Sequence, residues 1–72
     1  MQLVEGYTGM KVHITEDNMG EAFYPGREYE IKEIDEIDNT FRVRDTRTHE
    51  FHWTKVEFCF PVDDGGDGWL TL

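Results

Sequence analysis

The fold of this 72-residue chain is decided by residues 28–45, EYEIKEIDEIDNTFRVRD. Near its start Tyr29 and Ile31 alternate with charged side chains, and near its end Phe41 and Val43 do the same. Because side chains of a β-strand point alternately to its two faces, this pattern predicts two half-buried strands. The polar residues between the strands predict a turn, so the stretch is expected to form a β-hairpin.

The alternation of the first strand slips near its end, because Ile34 and Ile37 do not continue the face formed by Tyr29 and Ile31. A β-bulge near Glu33, or the end of the strand, accounts for such a slip. A helix is the rival interpretation, since isoleucines recur here every three residues. The preceding Pro-Gly pair and the β-branched content favour a strand.

The same alternation appears on both sides of this hairpin and predicts three further strands, at residues 10–14, 50–53 and 58–62. A long first loop joins the first two strands. Residues 54–57 predict a single 3₁₀ turn before the last strand, with Thr54 as its cap. No segment has the apolar spacing and the caps of an α-helix.

This pattern predicts an all-β fold that closes or nearly closes, because an open sheet of this size would leave unpaired edges. Four segments define the order of the elements: Gly9–Val12, Pro25–Ile31, Phe41–Asp45 and Trp53–Phe58. This order resembles that of the SH3-like small barrel, a five-stranded barrel with a 3₁₀ turn before its last strand. Such barrels serve protein-binding, nucleic-acid-binding and structural modules, so the resemblance implies a fold and no single function.

In the peptide-binding SH3 domains, aromatic rings and an acidic first loop line the ligand groove. The tandem tyrosine motif of that family is absent here, because Tyr7 stands alone before Thr8 and Gly9. Binding of proline-rich peptides is therefore not favoured. The residues that could supply such a groove are Tyr24, Tyr29 and Trp53 for the rings and Glu16, Asp17 and Glu21 for the acidic loop.

The chain is expected to hold a single domain over residues 1–62, followed by a C-terminal segment over residues 63–72. Residues 63–68 have the composition of an acidic, glycine-rich hinge. Residues 69–72 are an apolar tail, which either docks back on the barrel or binds something else.

Seven basic residues against sixteen acidic ones give a net charge of −9. This balance argues against a free-standing nucleic-acid binder, since affinity for phosphates comes mainly from Lys and Arg. So short a chain has little room for a catalytic cleft, and no enzymatic activity is expected. The aromatic content of 14% argues against disorder. Size and acidity also resemble those of short acidic proteins common in bacteriophage and prophage genomes.

Localisation follows from features that the sequence lacks. No apolar run approaches the roughly 20 residues of a membrane-spanning helix. The first residues show neither the basic nor the apolar region of a signal peptide. Cys59 is the single cysteine and has no partner for an internal disulfide, which fits a reducing cytoplasm.

The sequence gives little support for a catalytic or metal-binding site. His49 and His52 are three residues apart and would point to opposite faces of a strand, so they cannot share a metal ion without a bulge. Cys59 has apolar neighbours that do not favour a reactive thiolate. Residues 63–68 lack the ligand spacing of a calcium loop. We expect no cofactor and no metal.

The charge is unevenly distributed, with −5 over residues 28–38 and +2 over residues 41–55. If the two strands pair, Glu30 and Lys32 should face Arg44 and Arg42 across the ladder. That would leave an acidic face without countercharges. Its members would be Glu33, Asp35, Glu36 and Asp38 at the turn and Asp63, Asp64 and Asp67 at the hinge.

The first functional hypothesis is a non-catalytic module that binds a protein with a basic surface, such as a phage-type inhibitor or modulator of a host protein. Its predicted site joins the acidic face to Tyr24, Trp53, Trp69 and Leu70. Two alternatives stay open. One is an acidic nucleic-acid mimic that occupies the basic groove of a DNA- or RNA-binding enzyme. The other is a nucleic-acid-binding small barrel that uses the basic residues Arg42, Arg44, Arg47 and Lys55, with Phe41, Phe51 or Trp53 stacking on bases.

Overall fold

The computed structural model of the protein describes residues 2–15, 20, 22–62 and 68–72. The described residues form strands joined by turns, with a single turn of 3₁₀ helix, and include no helix of the length and apolar character needed to cross a membrane. The elements are β1 (Gln2–Glu5), β2 (Lys11–Ile14), β3 (Tyr29–Asp35), β4 (Thr40–Asp45), β5 (Phe51–Lys55), the 3₁₀ helix η1 (Val56–Phe58), β6 (Cys59–Pro61) and β7 (Gly68–Thr71).

Strands β2 to β6 form one antiparallel sheet in the order β5-β4-β3-β2-β6. The five strands predicted from alternation correspond to these five, and the predicted all-β class is confirmed. Among the described residues, no pairing between the two edge strands β5 and β6 closes this sheet into a barrel. The 3₁₀ helix lies between them, as expected, but its N-cap is Lys55 and not Thr54, which is a buried residue of β5.

The hairpin of β3 and β4 contains a register shift between Ile31 and Glu33, which confirms the bulge expected near Glu33. Before the shift Glu30 faces Arg44, as predicted. After it, Glu33 faces Arg42, so the predicted pairing of Lys32 with Arg42 is wrong. Lys32 instead directs its Nζ to Glu30 Oε1 on its own strand, at 2.9 Å.

Strands β1 and β7 form a separate two-stranded parallel sheet that the sequence pattern did not predict. Val4 pairs with Leu70, and the Gly6 N–H donates a hydrogen bond to the Thr71 carbonyl at 2.8 Å. Leu70 belongs to the buried core, with Val4 and Leu72 packed against it. Of the two alternatives for the apolar tail, the structure shows the docked one. Most of the predicted acidic hinge, residues 63–67, lies outside the described residues.

The core takes its side chains from the inward positions of the alternating strands, as the hairpin pattern predicts for Tyr29, Ile31, Phe41 and Val43. Burying these side chains stabilises the fold by about 1.5–3 kcal/mol each. The buried hydrophobic residues are Met10, Val12, Ile14, Phe23, Tyr29, Ile31, Phe41, Val43, Val56, Cys59 and Leu70.

Candidate functional site

The outer face of strands β3, β4 and β5 carries two parallel rows of side chains. Each row crosses the three strands in the same order, with a carboxylate on β3, an arginine on β4 and an aromatic ring on β5. The bulge in β3 creates the second row, because it moves Lys32 out of register and brings the next residue opposite β4. The rows are Glu30–Arg44–Phe51 and Glu33–Arg42–Trp53.

Arg42 links the two rows. Its Nη1 lies 3.2 Å from Glu33 Oε1, and its guanidinium carbon lies 4.2 Å from the centre of the Phe51 ring. An ion pair this exposed stabilises the fold by at most about 1 kcal/mol, and a cation–π contact at the surface by a similar amount. The expectation that Glu33 lacks a countercharge is therefore wrong, and the same arginine also contacts the Phe51 ring.

Arg44 is held by its own turn. Its Nη2 lies 2.7 Å from Nδ1 of His49, so the guanidinium donates to the unprotonated imidazole nitrogen. His49 has a φ of +66°, a left-handed conformation that a non-glycine residue adopts at some cost. The Nε of Arg44 is buried and has no hydrogen-bond partner in the structure. The turn therefore orients the Arg44 guanidinium through one of its donors.

Beside the second row, a shallow groove runs between Trp53 and the turn after β3. The carboxylate of Asp35 accepts hydrogen bonds from the backbone N–H groups of Ile37 and Asp38, at 3.0 and 3.1 Å. This arrangement fixes the turn and leaves Ile37 95% exposed. The groove is lined by Glu33, Ile34, Asp35, Glu36, Ile37 and Trp53.

Two carboxylates of the predicted acidic face, Glu36 and Asp38, are exposed and form no ion pair with the residues that the structure describes. Asp35 is committed to the turn and Glu33 to Arg42. The acidic face at this turn is thus smaller than predicted, since two of its four carboxylates are already used inside the hairpin.

Tyr24 lies at a different place from Trp53. It is exposed in the loop before β3, where the Arg27 guanidinium covers its ring at 4.5 Å. Its backbone N–H donates to the hydroxyl of Tyr29 at 3.3 Å. Burial raises the pKa of Tyr29, so this hydroxyl stays neutral. Tyr24 lines a polar depression with Arg27, Thr46 and Arg47, separate from the groove beside Trp53.

The remaining predicted site residues lie either in β7, away from this groove, or outside the residues that the structure describes. Trp69 is half-buried with its ring 5.8 Å from that of Phe60, and Leu70 is only 3% exposed. Leu70 therefore offers no surface to a partner in this structure. The predicted site residues Asp63, Asp64 and Asp67 lie outside the described residues.

Sequence reasoning did not include Phe51 and Ile37 in its predicted protein-binding site. Phe51 is 48% exposed and Trp53 is 36% exposed, both on the outer face of β5. The alternation of β5 shows that these two rings share a face, but not which face is outward. The exposure of Ile37 could have been inferred from its position among acidic residues in a turn.

One buried carboxylate lies at the end of the hairpin. Burial of Asp45 opposes its charge, but the backbone N–H groups of Arg47 and Thr48 and the guanidinium of Arg27 outweigh burial, and the pKa of Asp45 is lowered. Its Oδ2 lies 3.1 Å from Arg27 Nη1. This cluster organises the turn between β4 and β5 and the loop before β3, and its carboxylate is fully engaged.

The described residues offer little to covalent or metal chemistry. Burial raises the pKa of the Cys59 thiol to about 12. The part of the chain that the structure describes holds no group of three or more His, Cys, Asp or Glu side chains suited to a metal ion. The half-buried His52 packs its ring against Phe23, 5.7 Å away, while His49 holds Arg44.

Comparison of the chain with protein-family models, with curated proteins and with solved structures finds no match.

Proposed function

We propose that this protein is a small non-catalytic module that binds another protein through the outer face of β3, β4 and β5. The contact is centred on Phe51, Trp53 and Ile37, and the partner presents a basic surface. The small size and the acidity support the role of an inhibitor or modulator of a larger host protein, like that expected of short acidic phage proteins.

We also propose that the fold is an SH3-like small barrel. The strand order β5-β4-β3-β2-β6, the long connection between β2 and β3 and the 3₁₀ helix between β5 and β6 support this assignment. Barrels of this kind serve several functions, so the fold adds no preference among binding partners.

The observation that carries the functional proposal is the exposure of three large apolar side chains on one continuous surface. Ile37 and Trp53 line the same groove, and Phe51 lies two residues before Trp53 on the same face of β5. Exposed aromatic rings of this kind are enriched among the residues that dominate binding energy at protein interfaces. A partner that covers them gains roughly 25 cal/mol for each Å² of apolar surface buried.

Charge selects the class of partner. The exposed Glu36 lines the groove, the exposed Asp38 follows Ile37 in the same turn, and the whole chain carries a net charge of −9. Such a field accelerates the approach of a basic partner and disfavours an acidic one. The apolar residues then supply affinity, while the carboxylates supply selectivity.

Both alternatives fit the described surface less well. A nucleic-acid mimic needs unpaired carboxylates in place of phosphates, but Glu33 is paired with Arg42 and Asp35 is bonded within its turn. For nucleic-acid binding, Phe41 is fully buried and has no exposed ring to stack on a base. Arg42 and Arg44 already contact Glu33 and His49.

The proposal is tested by capture of partners from host lysate on immobilised protein, with identification by mass spectrometry. The test variant combines Phe51→Ser and Trp53→Ser. The control combines Tyr7→Ser and Tyr24→Ser, which removes two exposed rings (60% and 54% exposed) away from the proposed surface. We expect the test variant to lose the captured protein and the control to retain it. Equal capture by both folded variants would refute the proposed surface.

A further inference from the structure

We infer that the partner binds by strand addition, placing an extended basic segment against the outward backbone groups of Phe51 and Trp53 at the edge of β5. This inference rests on the proposed function for the surface involved and specifies the geometry and chemistry of the ligand. Strand addition uses backbone hydrogen bonds for affinity and alternate side chains for selectivity.

Within the described residues, the hydrogen-bond register leaves the outward backbone groups of Phe51 and Trp53 in β5 without a partner. The Asp45 N–H bonds to the Glu50 carbonyl, and the Val56 N–H bonds to the Asn39 carbonyl. These bonds bracket β5 and fix the alternation of the antiparallel ladder, in which every second residue faces the neighbouring strand. The backbone groups of Phe51 and Trp53 therefore point away from β4, toward the open edge of the sheet.

The two edges of the five-stranded sheet differ in their protection. Edge strand β6 is three residues long, ends in Pro61, which has no N–H, and packs against β7 through the contact of Phe60 with Trp69. Edge strand β5 has five residues and contains neither proline nor glycine. Proteins usually blunt an edge strand with proline or charged side chains to prevent pairing with other chains. Residues 51–53 of β5 contain neither proline nor lysine, so this part of the edge is suited to pairing.

The side chains of β5 complete the site. A strand laid along the edge would direct every second side chain to the outer face, beside Phe51 and Trp53. Because the Phe51 ring is already held by the Arg42 guanidinium, little conformational freedom is lost when a partner packs on it. Aliphatic or aromatic side chains at alternate positions of the incoming segment fit this face.

Charge identifies the occupant as a basic segment and not a second copy of this chain. The bond between Val56 and Asn39 places the turn carrying Glu36 and Asp38 beside the C-terminal end of β5, and the exposed Glu57 follows in η1. A second copy would carry the same net charge of −9 over its whole chain. Like charges at an interface oppose association, whereas lysines and arginines between the apolar positions would meet these carboxylates.

The test uses the full-length ¹⁵N-labelled protein and a short capped peptide of alternating lysine and valine as the probe. We expect the peptide to slow hydrogen exchange at the Phe51 and Trp53 amides by about tenfold or more, because these N–H groups become bonded. A glutamate–valine peptide of equal length should leave both amides unprotected.

A pair of variants separates backbone from side-chain binding. Phe51→Pro removes the outward N–H without removing a ladder bond, while Phe51→Ala removes the same ring and keeps the N–H. We expect the lysine–valine peptide to bind Phe51→Pro about fivefold more weakly than Phe51→Ala, the loss of roughly one hydrogen bond.

Three results would overturn the inference. If the peptide shifts the ring signals of Phe51 and Trp53 but protects neither amide, binding uses the face alone, and the proposed function stands without strand addition. Failure of the peptide to bind rejects an extended basic ligand, while the lysate capture still judges the proposed function separately. Concentration-dependent protection of the same amides without peptide would identify a second copy as the occupant.

Discussion

The ring of Phe41 packs directly onto the backbone of Gly6, so that a β-carbon at residue 6 would lie 2.6 Å from Phe41 Cζ. Gly6 follows β1, and Phe41 is a fully buried residue of β4, next to the central strand of the larger sheet. This contact is one of the points at which the small parallel sheet joins the core. Only a glycine leaves room for the aromatic ring at this position.

We therefore expect Gly6→Ala to lower the free energy of unfolding by about 1–3 kcal/mol, the usual cost of overpacking a core. Urea denaturation followed by tryptophan fluorescence measures this change. The double variant with Phe41→Leu serves as the control. Because the smaller side chain relieves the clash, the double variant should lose less than the sum of the single losses. Additive losses would show that the ring is not the cause.

The docked C-terminal strand gives the second prediction. Leu70 is 3% exposed and lies within the core cluster, so Leu70→Ala should lower the free energy of unfolding by about 2–5 kcal/mol. The neighbouring Thr71 is exposed, and Thr71→Ala is expected to change stability by no more than about 0.5 kcal/mol.

Thermal unfolding of the two variants checks this contrast. Because only the buried side chain fills core volume, Leu70→Ala should melt several degrees lower than Thr71→Ala. Equal melting temperatures would mean that β7 contributes little to the fold and is free to act as a binding tail.

The sequence allows prediction of the central hairpin, because every local signal in residues 28–45 agrees. Alternation defines both strands, and the phase slip at Ile34 marks the bulge that the structure places between Ile31 and Glu33. The pairing of β1 with β7 could not be predicted in the same way. Both strands are four residues long, and their parallel pairing joins opposite ends of the chain without a turn that would indicate it.

The candidate site is only partly predictable for a related reason. The acidic turn is visible in the composition, but the bulge decides which side chain of β3 lies opposite Arg42. A shift of one residue in the register places a different side chain there. The bulge pairs Glu33 with Arg42, so Glu33 no longer contributes an unpaired carboxylate to the acidic face, and it leaves Lys32 beside Glu30. The burial of Leu70 depends on long-range packing, which no local pattern reports.

The third prediction concerns the pH dependence of stability through Asp45. Its pKa is lowered in the folded state, so the carboxylate stabilises the fold fully above the unfolded pKa of about 3.9. This contribution is lost as the pH falls through the lower folded pKa. Asp45→Asn should lower the free energy of unfolding by about 2 kcal/mol at neutral pH. The substitution replaces a charged group that accepts hydrogen bonds in a nearly buried site.

Urea unfolding at a series of pH values from about 7 to 3 measures the difference between wild type and variant. The difference should be constant above pH ~5 and should shrink toward acid, because only the wild-type side chain becomes protonated there. Asp38→Asn, at an exposed position of the other turn, is the matched control and should show a much smaller effect. A difference that stays constant down to the most acid pH would contradict the assignment.

The last prediction concerns the reactivity of Cys59, which is fully buried in β6 with its Sγ 3.6 Å from the Lys55 carbonyl. Burial raises the pKa of this thiol to about 12, and the thiolate is the species that reacts with iodoacetamide. Alkylation of the native protein at pH 8 should therefore occur only through transient unfolding, and its rate should rise with urea in parallel with global unfolding. Leu70→Ala should accelerate the reaction by the factor that its loss of stability predicts, while Thr71→Ala should leave the rate almost unchanged. Native alkylation as fast as that of a free cysteine would show that β6 opens locally and that the docked β7 does not protect it.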